Sequence, residues 1–166
     1  MTLAPFRILP LDGRERSGFA CASDPLTRYF HTQVTQDLRR RIAACYIAVH
    51  QTSDAIAGFY TLSAADILLT DLPADLTKRL PRYPTLPAAR LGRLAVDQRF
   101  KGQKLGATLL ADAILRAAVS EVAVFAMVVD AKDALAEAFY RHHGFATYGS
   151  APGRLMAPLS ALLPRT

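Results

Sequence analysis

The chain has 166 residues, of which 51% are hydrophobic and 20% are charged, so it can bury one substantial core and is not a disordered polymer. The formal net charge of +6 and a pI near 9.7 favour anionic partners, although a solvated basic surface would have the same balance. No internal repeat or Gly/Ser linker divides the chain, so a single domain over residues 1–166 is predicted.

Cys21 and Cys45 are the two cysteines of the chain. They are too few for a disulfide framework and lie in no CxxC or Cys/His spacing, which favours packed thiols in a reducing compartment and no bound metal. No apolar run approaches the length of about 18 residues that a membrane span requires. The start of the chain, MTLAPFRILPLDGRER, lacks the features of a signal peptide. We therefore expect a cytoplasmic protein without membrane contact.

The first part of the chain is predicted to hold a short strand, PFRILPL, and then two helical pieces within residues 12–40. Ser23 or Asp24 can act as an N-cap there, and Pro25 fits the first turn that follows. The apolar face of this helical region consists of Leu26, Tyr29, Phe30, Val34 and Leu38. That face is expected to pack on a sheet.

The middle of the chain contains two β-rich runs, residues 42–50 and 55–69, which are joined by the polar QTSD. This arrangement predicts an antiparallel hairpin. The proline-punctuated segment that follows is predicted to hold one short helix around residues 75–80. Residues 89–97, ARLGRLAVD, are predicted to form a strand that leads into a glycine-containing loop.

The last part of the chain begins with a predicted helix that runs from the glycine loop to about Ala118. Its apolar stripe consists of Leu105, Leu109, Ala113 and Ala117, with Leu110 and Ile114 beside it. An apolar strand is predicted in EVAVFAMVVDA, a helix ended by Gly144 in KDALAEAFYRHHGF, and final strands in FATYG and RLMAPLS. Strands that alternate with helices indicate a layered α/β domain with a mixed sheet.

The glycine loop has the sequence FKGQKLGATLL and places Lys101 and Lys104 where a helix begins. Cations are unfavourable beside the partial positive charge of a helix N-terminus unless an anion is bound there. Gly102 and Gly106 relax the main chain, whose free N–H groups can then hold a phosphate. The alternative is a solvated basic turn. Because the spacing matches neither GxxxxGK[ST] nor GxGxxG, no ATP or dinucleotide site is expected.

Two long motifs resemble those of GCN5-related N-acetyltransferases (GNAT enzymes). The acetyl-CoA-binding motif is matched by LGRLAVDQRFKGQKLGATLLADAILRA, and the C-terminal motif by VVDAKDALAEAFYRHHGF. Further segments resemble the toxin branch of the family: FACASDPLTRYFHTQVTQDLRRR, AGFYTLSA and KRLPRYP. Members of that branch acetylate the amino group of aminoacyl-tRNA and are encoded beside ribbon-helix-helix antitoxins. The resemblance implies the GNAT fold, an α/β fold with a mixed, mostly antiparallel central sheet flanked by helices.

The resemblance also implies a site for acetyl-CoA. The family's pyrophosphate pattern, Gln/Arg-x-x-Gly-x-Gly/Ala, falls on residues 101–106, where Lys101 replaces the first Gln/Arg and Lys104 the usual inner glycine. We expect an ordinary negative φ at Lys104, in the first turn of the helix. An N–H group of residues 94–96 is expected to hold the oxyanion. The predicted coenzyme contacts are Leu94, Ala95, Val96, Lys101, Gly102, Gln103, Lys104, Leu105 and Gly106.

The predicted catalytic residue is Tyr140, which matches the general-acid tyrosine of the family and would protonate the departing thiolate. Without the resemblance, a tyrosine beside Phe139 would more often be a core aromatic. An α-amine has a pKa of about 7.7–8.0 and is partly neutral at physiological pH, so an α-amino substrate needs no strong dedicated base. His142 and His143 are expected to lie at a solvated helix end.

Clusters of basic residues are predicted to contact RNA, although a charge run is often only a solvated face. The predicted RNA-binding residues are Arg39, Arg40, Arg41, Lys78, Arg79, Arg82, Arg90 and Arg93. Contacts with RNA phosphates would make binding strongly dependent on salt.

The function implied by the resemblance is that of a toxin which transfers acetyl from acetyl-CoA to the α-amino group of aminoacyl-tRNA and so inhibits translation. The expected partners are aminoacyl-tRNA, a ribbon-helix-helix antitoxin and a second copy of the chain in a homodimer. Two alternatives stay open. One is an acetyl-CoA-dependent acetyltransferase of proteins or small amines, and the other is a non-catalytic module of the same fold that binds RNA or an antitoxin.

Overall fold

A computed structural model describes residues 4–164 of the chain; residues 1–3 and 165–166, the ends of the predicted domain, lie outside the described part. The helices are α1 (Asp24–Thr32), α2 (Val34–Arg39), α3 (Ala74–Thr77), α4 (Leu105–Val119), α5 (Ala134–His142) and α6 (Leu159–Leu162). The strands are β1 (Phe6–Pro10), β2 (Ala44–His50), β3 (Ile56–Leu68), β4 (Thr85–Val96), β5 (Ala126–Asp130), β6 (Ala146–Thr147) and β7 (Arg154–Pro158). Each predicted helix and strand has a counterpart here.

The strands of the described residues form a seven-stranded sheet in the order β1-β2-β3-β4-β5-β7-β6. The pairs β1–β2, β2–β3, β5–β7 and β6–β7 are antiparallel, and β4 pairs with β5 in parallel. The predicted mixed, mostly antiparallel sheet is confirmed, as is the hairpin of β2 and β3.

The chain divides into two compact units. The first unit comprises Met1–Ser63 and Gly92–Ala113, and the second comprises Ala64–Leu91 and Ile114–Thr166. Each unit has its own cluster of buried apolar side chains. The single domain predicted for residues 1–166 stays a prediction.

The apolar cluster of the first unit is built on α1, α2 and the neighbouring strands. Ser23 is the N-cap of α1, and its hydroxyl accepts the Leu26 N–H at 3.4 Å. The predicted apolar face is confirmed: Tyr29, Phe30 and Val34 are buried, and Leu26 and Leu38 pack against them. The rings of Phe30 and Phe59 stack with their centroids 4.3 Å apart.

One predicted boundary in this unit is wrong, because residues 12–22 form an irregular segment with bends and one turn, and the helices begin only at Asp24. The Asp12 carboxylate accepts the Arg14 N–H, and the Glu15 carboxylate accepts the N–H groups of Arg16 and Ser17. Side chains that bind nearby main-chain N–H groups in this way offer the backbone an alternative to a helix.

The apolar cluster of the second unit surrounds β5. Ala126 and Val128 are buried there with Ile67, Leu86 and Met156. The predicted strand over residues 121–131 is shorter than expected and covers only Ala126–Asp130. Its first four residues are buried, as expected for a strand covered on both faces.

Helix α4 is the element whose packing the sequence described most completely. All six predicted stripe residues are buried: Leu105, Leu109, Leu110, Ala113, Ile114 and Ala117. An apolar repeat at helical spacing places these side chains on one face of the helix. The orientation of α4 therefore follows from its sequence.

Candidate active site

The end of β4 carries Leu94, Ala95 and Val96, which were predicted to lie beside the thioester. Ala95 is buried and the other two residues are half-buried. The parallel register with β5 ends at the pair Leu91 and Val129, while β4 continues to Val96. A strand that continues past its pairing can offer main-chain N–H groups to an outside acceptor. The predicted oxyanion contact of these N–H groups stays a prediction.

Strand β3 approaches the end of β4 closely at Gly58. A Cβ atom at this position would lie 2.9 Å from the Ala95 carbonyl oxygen and 2.9 Å from a methyl carbon of Leu109. Real Cβ atoms essentially never show contacts this short. Glycine is therefore required for the end of β4 to lie where it does.

Asp97 follows β4 and fixes the direction of the chain as it enters the loop. Its buried carboxylate accepts the Ala20 N–H at 3.0 Å, the Arg99 N–H at 2.8 Å and the Arg99 Nε–H at 2.9 Å. Burial alone would raise the pKa of Asp97, but the hydrogen bonds from Arg99 and Ala20 outweigh it and lower the pKa. The sequence analysis did not identify this network, because the partner at Ala20 is remote in sequence.

The loop from Lys101 to Gly106 has two residues with a left-handed backbone, Gly102 at φ +81° and Lys104 at φ +60°. The expected negative φ at Lys104 is wrong. Helix α4 begins at Leu105, so Lys104 lies just before the helix and not in its first turn. Lys104 thus takes a conformation that glycine adopts without strain and that costs an L-residue about 1–2 kcal/mol.

The start of α4 has the features of a main-chain anion site. Lys101, Gly102, Gln103 and Lys104 are exposed. The Lys104 carbonyl accepts the Thr108 N–H at 3.1 Å, which leaves the first N–H groups of α4 directed out of the helix. Left-handed residues next to a helix start form a concavity that attracts anions. Pyrophosphate binding by this loop stays a prediction.

Tyr140 lies on α5 and is only 8% exposed. Its ring packs edge-on against Phe139 and Phe145, with centroids 5.2 and 5.6 Å away. Burial raises the pKa of the Tyr140 hydroxyl to about 12, so the phenol carries its proton throughout the neutral range. This state is the one that a general acid requires.

The ends of α5 hold Tyr140 in place. The Asp133 carboxylate accepts the Ala136 N–H at 2.8 Å and caps the start of the helix. At the other end, Gly144 has φ +98° and ends the helix as predicted. His143 is the C-cap residue, and burial, with a smaller effect of the neighbouring histidine, lowers its pKa.

The predicted RNA-binding residues of the first unit fall into two groups. Arg39, Arg40 and Arg41 are exposed at the end of α2. Arg93 instead lies half-buried, with its guanidinium 3.6 Å from the centre of the Tyr29 ring. The Tyr29 hydroxyl donates to the buried Asp37 carboxylate at 2.7 Å.

The hydrogen bond from Tyr29 is the main reason why the pKa of Asp37 is lowered, and Gln33 and Arg93 act in the same direction against burial. Asp37, Tyr29 and Arg93 therefore form one network. The sequence did not predict this network, because Tyr29 was expected on an apolar helix face and Arg93 at an RNA contact.

The predicted RNA-binding residues of the second unit also differ among themselves. Lys78, Arg79 and Arg82 are exposed after α3. Arg90 is half-buried, and its guanidinium lies 2.6 Å from the Asp130 carboxylate. Asp130 therefore compensates much of the positive charge of Arg90.

The two cysteines are free and buried, as predicted for packed thiols. Burial raises the pKa of the Cys45 thiol to about 12. Within residues 4–164, no group of three or more His, Cys, Asp or Glu side chains could hold a metal ion. Across the same residues, no helix is long and apolar enough to cross a membrane.

The mixed sheet and the loop whose free main-chain N–H groups precede α4 are typical of an α/β domain that can hold an anion at a helix start. The family model described as "Acetyltransferase (GNAT) domain" matches residues 17–153. The chain belongs to this family of acetyltransferases. The predicted GNAT fold and enzyme class are confirmed.

Two curated relatives match nearly the whole chain. A tRNA-acetylating toxin of Mycobacterium tuberculosis (strain ATCC 25618 / H37Rv) is 29% identical, over 92% of this chain and 90% of the relative. A probable toxin TacT of Sinorhizobium fredii (strain NBRC 101917 / NGR234) is 24% identical, over 93% of this chain and 92% of the relative. Both are named as toxins, in agreement with the branch that the motifs indicated.

Solved structures of the toxin AtaT have the same fold. AtaT complexed with acetyl-methionyl-tRNAfMet superposes with a TM-score of 0.86 at 28% identity, covering 95% of this chain and 96% of that chain. AtaTR bound with AcCoA has a TM-score of 0.80 at 27% identity, covering 95% and 96%. A mutant AtaT bound to the C-terminus of the antitoxin AtaR has a TM-score of 0.79 at 26% identity, covering 96% of both chains.

Proposed function

We propose that this protein is a toxin that transfers acetyl from acetyl-CoA to the α-amino group of aminoacyl-tRNA and thereby inhibits translation. The observation that carries the proposal is the strand, loop and helix unit of residues 94–106, whose main chain suits a coenzyme pyrophosphate. The tRNA-acetylating relative and the complexes of AtaT with charged tRNA and with AcCoA support the choice of substrates.

The coenzyme site in this proposal consists mainly of backbone. N–H groups of Gln103, Lys104, Leu105 and Gly106 bind the pyrophosphate at the positive end of α4. The side chains of Lys101 and Lys104 add positive charge beside it. Bound acetyl-CoA supplies an acetyl thioester, which an amine can attack directly. An N–H of Leu94, Ala95 or Val96 stabilises the oxyanion that develops on the acetyl carbonyl.

Tyr140 acts as the general acid in the proposed reaction. The neutral α-amine of the substrate forms the new C–N bond, the C–S bond breaks, and Tyr140 gives its proton to the leaving thiolate. The amine releases its extra proton to water. Because burial raises its pKa to about 12, Tyr140 keeps its proton from neutral pH to about pH 10, a range in which the α-amine, with a pKa of about 7.7–8.0, becomes neutral.

We propose two roles for the basic residues. The six exposed cations contact phosphates of the tRNA: Arg39, Arg40, Arg41, Lys78, Arg79 and Arg82. Arg90 is paired with the Asp130 carboxylate, and Arg93 lies against the Tyr29 ring. These two residues therefore contribute less to RNA binding than the exposed cations do. Alanine substitutions of the exposed group should reduce the salt dependence of tRNA binding more than those of Arg90 and Arg93.

We further propose that the protein acts in the cytoplasm, forms a homodimer and is neutralised by a ribbon-helix-helix antitoxin. The complex of AtaT with the C-terminus of AtaR supports an antitoxin partner. The charge of +6 is suited to an acidic antitoxin segment as well as to RNA. Mass measurement of the protein alone and with a co-expressed antitoxin tests the dimer and the complex separately.

The experiment that tests the function is transfer of labelled acetyl from acetyl-CoA to a complete set of charged tRNAs. We expect label on the amino acid of at least one charged tRNA and none on deacylated tRNA. The Tyr140→Phe variant serves as a control for transfer without enzyme. Labelling of no charged tRNA, in protein that still binds acetyl-CoA, would contradict the proposal and favour another amine as substrate.

A further inference from the structure

The segment between β3 and β4 surrounds an open cavity of about 330 Å³ in the second unit. Its lining includes Leu69, Leu72, the hydroxyl-bearing Thr70 and Thr77, and the cations Lys78 and Arg82. Sites for small ligands have volumes of about 300–1,000 Å³. The cavity therefore has the volume of a site for one small ligand.

The charge of the cavity favours an anionic ligand. Both charged residues of the lining, Lys78 and Arg82, are cations and are exposed. The carboxylates of the same segment belong to Asp71 and Asp75, neither of which is part of the lining. Asp71 instead lies beside Gly149, whose N–H donates to the Asp71 carbonyl at 3.1 Å. A ligand in the cavity thus meets positive charge together with apolar and hydroxyl groups.

An exposed aromatic residue follows the last lining residue of the cavity in the sequence. Tyr83 is the residue after Arg82 and is 62% exposed, which makes it one of the large apolar residues that the fold leaves in solvent. An exposed aromatic ring next to cations is the combination with which proteins bind unpaired nucleotides, because the base stacks on the ring and the phosphate meets the cations. An acidic peptide would use the cations and leave the ring without a planar partner.

We propose that this cavity binds one unpaired nucleotide of an RNA, with its phosphate on Lys78 and Arg82 and its base stacked on Tyr83. The inference rests on the proposed function, since it names the part of the RNA substrate that this surface contacts. Bases in a duplex are stacked on each other and their faces are covered. The cavity therefore distinguishes a single-stranded segment from a double-stranded one.

The test is equilibrium binding of a short fluorescein-labelled single-stranded oligoribonucleotide, compared with a blunt RNA hairpin of the same composition. We expect Tyr83→Ala to weaken binding of the single strand at least about fivefold and Tyr83→Phe, which keeps the stacking face, to change it less than twofold. Binding of the hairpin should change less than twofold in both variants.

Salt dependence separates the two parts of the site. The double variant Lys78→Ala, Arg82→Ala should reduce the slope of log affinity against log salt by about 0.7 for the single strand, since the cavity holds one phosphate and each phosphate contact contributes about 0.7. Tyr83→Ala should leave the slope unchanged. Lys132→Ala and Leu135→Ala are matched controls, because they remove an exposed cation and an exposed apolar side chain of the second unit.

The proposal is overturned if Tyr83→Ala binds the single strand as tightly as the wild type does, or if Tyr83→Ala weakens binding of the hairpin as much as binding of the single strand. It is also overturned if the variants weaken only the binding of an acidic peptide. The binding experiment does not depend on acetylation, so its outcome is separate from the test of the function. A protein that acetylates no charged tRNA can still bind the single strand through Tyr83, and one that acetylates tRNA can fail to do so.

Discussion

The two units of the chain carry two different kinds of site. In the first unit, the loop of residues 101–106 and the end of β4 present main-chain N–H groups, and the buried Asp97 carboxylate binds the main-chain N–H groups of Ala20 and Arg99. In the second unit, the candidate groups are side chains: the phenol of Tyr140 and the cations Lys78 and Arg82. A site made of backbone tolerates a change of side chain as long as φ is kept, whereas a site made of side chains does not.

The largest effect should come from the side-chain site, through Tyr140→Phe. Removal of the hydroxyl takes away the proposed proton donor, and general acids contribute about 10²–10⁴-fold, so we expect kcat to fall at least about 100-fold. Phenylalanine keeps the ring contacts with Phe139 and Phe145, so the unfolding midpoint and the Kd for acetyl-CoA should stay close to wild type. Steady-state kinetics with charged tRNA and calorimetry with coenzyme measure both. An unchanged kcat would remove Tyr140 from the mechanism.

The main-chain site of the first unit, formed by the end of β4 and the loop of residues 101–106, should depend on the Asp97 carboxylate between them. Asp97→Ala removes the buried carboxylate that accepts from the Ala20 N–H and from the Arg99 main chain and side chain, and we expect a loss of about 3 kcal/mol in the free energy of unfolding. Urea denaturation at pH 7 measures the loss. Asp75→Ala on α3 is the control, since Asp75 is exposed, and should change stability by less than about 0.5 kcal/mol.

The same carboxylate predicts a pH dependence. The pKa of Asp97 is lower in the folded protein than its ordinary value of 3.8, so the folded state favours the ionised form. Its stabilising contribution is fully present above about pH 4 and is lost as the pH falls through the folded pKa. Between about pH 5 and about pH 3, the free energy of unfolding of the wild type should therefore fall more than that of Asp97→Ala. Equal slopes in the two proteins would contradict this account.

The next prediction concerns the close approach of β3 to the end of β4, the strand that is predicted to lie beside the acetyl-CoA thioester. Gly58→Ala places a methyl group 2.9 Å from the Ala95 carbonyl oxygen, so the backbone must move, and we expect a loss of about 2 kcal/mol in stability. Gly13→Ala is the matched control, because a Cβ there meets nothing within 4 Å. If Gly58→Ala is no less stable than Gly13→Ala, the contact with Ala95 does not constrain β4.

The sequence predicted most of the fold because hydrophobic periodicity and caps are local signals. The buried stripe of α4, the Ser23 cap and the Gly144 terminus each depend on residues within a few positions of one another. The buried state of Asp97 was not predictable in this way. Its partner Ala20 is separated from it by 77 positions, and an aspartate after a strand is common in turns.

The candidate site was predicted unevenly for a related reason. A motif identifies Tyr140 by residue type, and the structure places that residue on a helix, where burial raises the pKa of its phenol to about 12. The sign of φ at Lys104 depends on whether α4 begins at that residue or one position later, and helix ends are the least certain part of a sequence-based assignment. The structure begins α4 at Leu105, and this single position reverses the expected conformation.

The smallest effect should come from Lys104→Gly, which tests the tolerance of the backbone site directly. Glycine keeps the positive φ without strain and removes one charge, so we expect the Kd for acetyl-CoA to change by less than about tenfold, the size of one modest electrostatic contact. Lys104→Ala removes the same charge and retains the strain. Glycine should therefore give the more stable protein of the two, by about 1 kcal/mol. Calorimetric titration and urea denaturation of both variants separate charge from conformation. A loss of affinity well above tenfold in both would show that the lysine side chain, and not the main chain, is a principal phosphate ligand.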